Sequence, residues 1–187
     1  MEQDICTQFQ TPPDVVQYMV EMIPCKAVTV LEPTPGIGNI HSQLIKKGFA
    51  VTAPEDYFLL EKSKYDCVIM NPPFSAGSAI LDNAPEGFNE KGMRVGYWFL
   101  TECMKLSDNI IALMPWFTIA DSDVRLRYLK SFGLKSLTAL PRKTFEYARI
   151  QTVIIELEKG YQGETAFKVY EFEVNKQYKM EGILNGN

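Results

Sequence analysis

The spacing of apolar residues divides the chain into helical and strand-like segments. The first segment is helical. After the polar, proline-rich start Thr11-Pro12-Pro13-Asp14, apolar residues recur at helical spacing from Val15 to Ile23, and Pro24 ends the pattern. Further on, short and almost continuous apolar runs alternate with other helical segments. Such runs are typical of parallel strands that are buried on both faces.

The same pattern extends over most of the chain and predicts an α/β fold. The predicted strands are 27–31, 49–53, 65–70, 109–115, 134–140, 150–157 and 165–174. The predicted helices after the first are 39–47, 93–107 and 122–132, and the Gly-, Ser-, Asn- and Pro-rich residues 75–92 are predicted to form a long loop. We expect a mainly parallel sheet with helices on both faces and an antiparallel pair of strands near the C-terminal end.

Length and charge narrow the class of protein. A chain of 187 residues with 46% hydrophobic residues is sufficient for one folded domain. Its net charge of −4 gives no overall positive field, so contact with nucleic acid would require a local basic patch. No apolar run is long enough to span a membrane, and the first residues lack the features of a signal peptide. We therefore expect a soluble, cytoplasmic protein.

Cysteine and histidine are too sparse for several kinds of active site. Cys6, Cys25, Cys67 and Cys103 show no CxxC spacing, and His41 is the only histidine. This content predicts no metal site and no disulfide framework. It also disfavours hydrolases that depend on an imidazole.

One predicted strand end carries glycines and an acid. Strand 27–31 continues into Glu32-Pro33-Thr34-Pro35-Gly36-Ile37-Gly38, where the glycines allow a ligand to approach the backbone and the next helix offers free N–H groups. His41 occupies the place of the third glycine of a dinucleotide fingerprint, which argues against a nicotinamide or flavin dinucleotide. Glu32 favours a ligand that carries a positive charge. A plain tight turn is the alternative interpretation.

A second strand end is more distinctive. Strand 65–70 stops at Asn71-Pro72-Pro73-Phe74, where two prolines stiffen the backbone and remove two hydrogen-bond donors. The amide oxygen of Asn71 and the carbonyl of Pro72 could accept both hydrogens of an exocyclic amino group, and Phe74 could stack on the ring that carries it. The alternative is a proline turn followed by a buried phenylalanine.

These segments, in this order, resemble the S-adenosylmethionine-dependent N6-adenine DNA methyltransferases in which the cofactor loop precedes the catalytic turn. The resemblance covers roughly residues 9–160 and rests on the segments that begin at Thr11, Glu32 and Asn71. It implies a Rossmann-like class I methyltransferase fold with a seven-stranded sheet, S-adenosyl-L-methionine as cofactor and a flipped-out adenine as target. Residues 1–160 would form the methyltransferase domain, and 161–187 would be its C-terminal strand and tail.

The resemblance also implies roles for individual residues. The methionine end of the cofactor would be held by Thr11, Glu32, Pro33, Gly36 and Gly38. Asp56-Tyr57-Phe58 resembles the acidic-aromatic segment at the cofactor adenine, and Glu55 is the candidate for the ribose. The catalytic turn would be Asn71, Pro72, Pro73 and Phe74, with Phe145 as a second aromatic that stacks on the target base. Core packing is the alternative role for Phe145, and a solvated turn is the alternative for Asp56 to Phe58.

Two features depart from this family. Between strand 49–53 and Asp56 there is no room for the usual helix and further strand, so either the sheet lacks one edge unit or the cofactor ribose is held differently. Nothing after residue 160 is long enough to be a target-recognition domain. Specificity would then come from loops or from a separate specificity partner, or it would be weak.

A local basic patch is available for DNA. Six basic residues and no acid lie between Val124 and Phe145, and the predicted nucleic-acid rim comprises Arg125, Arg127, Lys130, Arg142 and Lys143, with Lys135 as the sixth base. Lys91 and Arg94 beside loop 75–92 form a second candidate. A solvated helix face is the alternative interpretation.

The sequence favours methylation of DNA adenine but leaves other functions open. RNA is a possible substrate, because Asn-Pro-Pro turns also occur in methyltransferases for ribosomal or transfer RNA adenine and for protein glutamine. A different class of function is a non-catalytic partner or decoy subunit with a methyltransferase fold, which the missing edge unit and recognition domain motivate.

Overall fold

The computed structural model describes residues 10–74, 83–86, 88, 94–145 and 150–171. Its strands are β1 Thr29–Leu31, β2 Ala50–Thr52, β3 Cys67–Met70, β4 Asn109–Pro115, β5 Leu134–Ala139, β6 Thr152–Glu158 and β7 Ala166–Val169. Its helices are α1 Pro13–Glu21, α2 Asn39–Lys46, α3 Arg94–Cys103, α4 Phe117–Ala120 and α5 Asp123–Phe132, with a 3₁₀ turn at Tyr57–Leu59.

The seven strands form one mixed sheet in the order β2-β1-β3-β4-β6-β5-β7. β1 pairs in parallel with β2 and β3, and β3 pairs in parallel with β4. β6 is antiparallel to both of its neighbours, β4 and β5, whereas β7 runs parallel to β5. The predicted fold class is therefore confirmed: a mainly parallel sheet with antiparallel pairing near the C-terminal end.

Each face of the sheet has its own hydrophobic core. α1 and α2 cover one face, where Met19 and Leu44 belong to the same buried cluster as Ile69 of β3. α3 and α5 cover the other face, where Leu100 and Leu129 cluster with residues of β3, β4 and β6. The continuous apolar character of β3 and β4 follows from this arrangement, because both of their faces are buried.

Among the described residues, no further strand lies beyond β2. Residues 53–66 are all described and contain the 3₁₀ turn Tyr57–Leu59 and a single bridge from Tyr65 to Ser107, but no helix or strand that could extend the sheet, so β2 is the edge strand of the described sheet. The count of seven is kept because β7 extends the opposite edge beside β5. β7 lies within the predicted strand 165–174, whose residues beyond 171 lie outside the described part of the chain.

Two other elements differ from the prediction. α4 was not predicted, because a helix of four residues is too short to show a periodic pattern. α3 ends at Cys103, earlier than the predicted 107, and a backbone bond from the Ser107 N–H to the Cys103 carbonyl closes the turn that leads to β4. Most of loop 75–92 lies outside the described residues. None of the helices in the described ranges has the length and apolarity of a membrane span.

Candidate active site

The candidate residues meet where the chain changes direction within the sheet. After β1 the chain passes through α2 to β2, whereas after β3 it passes through α3, on the other face, to β4. Ligands of open α/β sheets bind beyond the carboxyl ends of the strands at such a point. Glu32 follows β1 directly and Asn71 follows β3, so the two motifs lie side by side.

Thr11 connects the two motifs. Its side chain is 2% exposed, and its Oγ1 accepts a hydrogen bond from Asn71 Nδ2 at 3.0 Å. Its backbone carbonyl accepts from Asn39 Nδ2, also at 3.0 Å. The hydroxyl of Thr34 donates to the backbone carbonyl of Asn71 at 3.4 Å. The segments at Thr11, Glu32 and Asn71 are thus joined by hydrogen bonds across as many as 60 residues of sequence.

The bond to Thr11 orients the Asn71 amide. Because the amide nitrogen is directed at Thr11, the amide oxygen, which is an acceptor, points in another direction. Sequence reasoning identified Thr11 and Asn71 but missed Thr34 and Asn39. The available signals were a hydroxyl within the loop and an asparagine at the first position of α2.

Glu32 is the most unusual ionisable group at this edge. It is 1% exposed; its carboxylate accepts a hydrogen bond from the backbone N–H of His41, and Oε2 finds no hydrogen-bond partner among the residues that the structure describes. Burial raises the pKa of the Glu32 carboxyl to about 8, and the His41 N–H opposes that rise. A buried carboxyl with one unsatisfied oxygen is suited to bind a cationic group.

The Glu32–Gly38 loop requires its two glycines. Gly36 has φ 55° and Gly38 has φ 88°, a region that other residues seldom adopt. A Cβ on Gly36 would also lie 2.5 Å from Nε2 of Gln10. Pro33 is buried beneath the loop, whereas Gly36 is exposed. The loop therefore exposes backbone at Gly36, beside the exposed side chain of Ile37, at the end of β1.

The Asp56–Phe58 segment is divided between the surface and the core. Asp56 Oδ1 accepts from the backbone N–H of Phe58 at 2.8 Å, and Oδ2 accepts from Asn83 Nδ2 at 2.7 Å. Glu55 is exposed, and the half-buried Phe58 packs against Phe88. Any contact between Asp56 and a ligand must therefore share oxygens that already accept hydrogen bonds.

Tyr57 lies in the core. Its side chain is 4% exposed, and its ring packs edge-on against Trp98 and Phe99. Burial raises the pKa of its phenol above the usual value. The structure thus gives Tyr57 a packing role, and its contact with the cofactor stays a prediction.

Phe145 is also buried. It is 5% exposed and belongs to the core cluster on the α1 and α2 face. The Phe145 ring packs in the core, as the core-packing alternative expects, and stacking of this ring on a base stays a prediction. Phe74 is partly buried and packs against the same cluster from the carboxyl end of β3.

The predicted nucleic-acid rim is not continuous. Arg125 donates to the Phe117 carbonyl at 3.1 Å and lies over the Tyr97 ring. Lys130 donates to the Gly163 carbonyl at 2.8 Å, next to the segment that leads into β7. This segment lies at the end of the sheet opposite to Asn71.

Two further basic residues of this segment are held in ion pairs. Arg127 pairs with Asp123 one turn earlier on α5, and Lys135 pairs with Glu156 and Glu158. The last two basic residues, Arg142 and Lys143, are exposed. They follow β5 at the same edge of the sheet as Asn71. Of the second candidate patch, Arg94 is exposed at the start of α3, and Lys91 lies outside the described residues.

Comparison with known proteins relates this chain to methyltransferases at the level of fold. No family model and no curated protein sequence matches the chain. Solved structures do match. A protein from Listeria monocytogenes assigned as a class I S-adenosylmethionine-dependent methyltransferase has 17% identity and a TM-score of 0.64 over 89% of this chain and 67% of its own.

Two other structures broaden the comparison. The methyltransferase subunit of a type I restriction-modification system from Streptococcus thermophilus has 16% identity and a TM-score of 0.63, over 87% of this chain and 47% of its own. A protein from Pyrococcus horikoshii assigned as an RNA methyltransferase has 16% identity and a TM-score of 0.55, over 84% of this chain and 90% of its own.

Together these matches show that the chain has the Rossmann-like fold of class I methyltransferases. The chain spans about half the length of the type I restriction-modification subunits that it matches.

Proposed function

We propose that this chain is an S-adenosylmethionine-dependent methyltransferase that methylates the N6 amino group of adenine, in DNA in preference to RNA. The observation that carries the proposal is the junction of Thr11, the Glu32–Gly38 loop and Asn71 at the carboxyl ends of β1 and β3. The shared fold supports a methyltransferase, since the structural neighbours include a methyltransferase subunit of a type I restriction-modification system and a protein assigned as an RNA methyltransferase.

The residues present fit this cofactor. The unsatisfied Oε2 of Glu32 suits the ammonium of the methionine part, and the exposed backbone at Gly36 allows close approach of the ligand. When bound, the cofactor supplies a methyl group that its sulfonium already activates. The protein then needs only to align the acceptor with that methyl group.

The Asn71–Phe74 turn would provide this alignment. The Asn71 amide oxygen and the Pro72 carbonyl accept hydrogen bonds from the two amino hydrogens, which directs the nitrogen lone pair towards the methyl carbon. Phe74 holds the ring by stacking. After transfer the nitrogen carries a positive charge and returns to neutrality by losing a proton.

Transfer of a tritiated methyl group tests the proposal. The purified full chain is incubated with labelled cofactor and, separately, with amplified unmethylated DNA of mixed sequence, with RNA and with total protein. We expect label on DNA adenine. Label on RNA adenine or on protein glutamine would instead identify one of the alternative substrates. No label on any substrate, despite binding of S-adenosylhomocysteine, would indicate a non-catalytic subunit.

The structural neighbours also bear on partners. Several of them are subunits of type I restriction-modification systems. We therefore propose that this chain acts together with a specificity partner, and that the complex of the two modifies DNA at a defined sequence. Stimulation of transfer by that partner would support this part of the proposal.

Thr11 gives a first test at the level of single residues. Thr11→Val keeps the shape but removes the acceptor of the Asn71 amide, so we expect about tenfold slower transfer and a loss of about 1–2 kcal/mol of stability. Thr11→Ser keeps the hydroxyl and should retain most of both properties. Transfer rates and urea denaturation measure the effects. Equal rates for the two variants would show that the hydroxyl does not position Asn71.

The basic pair Arg142 and Lys143 gives a second test. If both contact phosphates, Arg142→Ala/Lys143→Ala should make the dependence of log affinity on log salt less steep by about two units. The matched control is Lys46→Ala/Lys47→Ala, at the end of α2 and at the opposite edge of the sheet. Fluorescence anisotropy with a labelled duplex measures both slopes. If the two double variants change the slope equally, the pair does not form a DNA contact.

A further inference from the structure

Helix α3 comes very close to the Asn71–Phe74 turn at Gly96. A Cβ on Gly96 would lie 3.1 Å from the carbonyl oxygen of Pro73, 3.5 Å from Cδ1 of Phe74 and 3.7 Å from the methyl group of Met114. The first distance is shorter than a normal contact between carbon and oxygen. A side chain at position 96 must therefore displace either the helix or the turn.

The helix is the less movable of the two. On either side of Gly96, Val95 and Phe99 are buried in the same cluster as Met70 and Ala112. A shift of α3 would disturb close packing along its whole length, which is costly in a protein interior.

The turn is held from its other side. Hydrogen bonds tie Asn71 to Thr11 and Thr34, and the two proline rings restrict the backbone that follows. The turn therefore lies between these hydrogen bonds on one side and the backbone of α3 at Gly96 on the other. Helix propensity does not explain the glycine, because alanine is the better residue within a helix.

We propose that Gly96 is a positioning residue for the catalytic turn. Without a Cβ at this position, α3 supports the Pro73 carbonyl and the Phe74 ring directly, and this contact sets where Pro72 and Asn71 present their acceptor oxygens. The inference rests on the proposed function and deepens it. It assigns part of the alignment of the amino group to a residue that does not touch substrate.

Graded enlargement of position 96 tests the proposal. In Gly96→Ala we expect transfer of tritiated methyl to amplified DNA to fall about tenfold, and further in Gly96→Val, since small misplacements have large kinetic effects. Affinity for S-adenosylhomocysteine, measured by calorimetry, should remain at the wild-type value. The melting temperature of Gly96→Ala should not fall, because improved helix propensity offsets the new contact.

Gly48→Ala is the matched control. Gly48 ends α2 at the opposite edge of the sheet and has φ 86°, and a Cβ added there would meet no atom within 4 Å, so alanine is strained only by the backbone. We expect this variant to lose stability and to keep its rate per folded molecule. The two glycine variants thus separate lost stability from lost alignment.

An NMR measurement makes the test independent of turnover. The side-chain amide of Asn71 should shift in Gly96→Ala and stay unchanged in Gly48→Ala. Wild-type values for both the rate and this amide in Gly96→Ala would overturn the proposal. If the wild-type protein transfers no methyl group to any substrate, the proposed function fails, and the amide shift still decides whether Gly96 positions the turn.

Discussion

Asn71→Ala is expected to lower methyl transfer by a factor of about 100 to 1,000 and to leave the affinity for S-adenosylhomocysteine almost unchanged. A single group that aligns or stabilises the reacting atoms typically contributes this much to the rate. The Asn71 amide does so through an oxygen whose direction is set by the bond from its nitrogen to Thr11. Tritium transfer and calorimetry measure the two quantities.

The control for this variant is Asn109→Ala. Asn109 Nδ2 donates to the backbone carbonyl of Asp66 at 3.0 Å, at the opposite edge of the sheet. This variant loses a hydrogen bond of similar geometry, and we expect it to lose stability without losing turnover. An equal fall in transfer for both variants would mean that stability, rather than alignment, limits the rate of Asn71→Ala.

The position of the site could be predicted from sequence because it depends on strand ends. Continuous apolar runs identify β3 and β4, and the predicted bounds of β4 agree with the structure. Once parallel pairing is expected, Glu32 and Asn71 must meet at one edge. The missing edge unit was also predictable, since the residues between β2 and Asp56 are too few to form a helix and a strand.

The environment of single side chains could not be predicted in this way. An apolar pattern shows which segments are buried but not which neighbours they meet. It therefore left open whether Phe145 packs in the core, where the structure places its ring, or stacks on a base. Arg125 and Lys130 are part of a basic run in sequence, yet one lies over Tyr97 and the other is bound near the opposite edge. Their partners lie on other elements, so only tertiary structure reveals them.

Glu32 lowers the stability of the folded protein when it is ionised. Its pKa is 4.5 in ordinary surroundings and about 8 in the folded protein, so between these values the folded protein binds a proton that the unfolded chain has released. Below pH 4.5 the carboxyl is protonated in both states, and Glu32 does not reduce the free energy of unfolding. As pH rises from 4.5 towards 8, the free energy of unfolding falls. Glu32→Gln cannot ionise, so above pH 8 we expect it to be more stable than wild type, by on the order of 4–5 kcal/mol. Urea denaturation across this pH range measures the difference, with the exposed Glu61→Gln as control.

The same variant should bind the cofactor poorly. A cationic ammonium pairs with ionised Glu32, so binding below pH 8 must release the proton that the free protein holds, and wild-type affinity should improve up to tenfold for each pH unit between 6 and 8. Calorimetry at pH 7 in buffers of different ionisation enthalpy should detect release of about one proton in wild type and none in Glu32→Gln. If Glu32→Gln is more stable than wild type but binds the cofactor more weakly and independently of pH, the Glu32 carboxyl serves ligand binding at a cost in stability. If the variant instead loses stability and binds normally, Glu32 has a structural role.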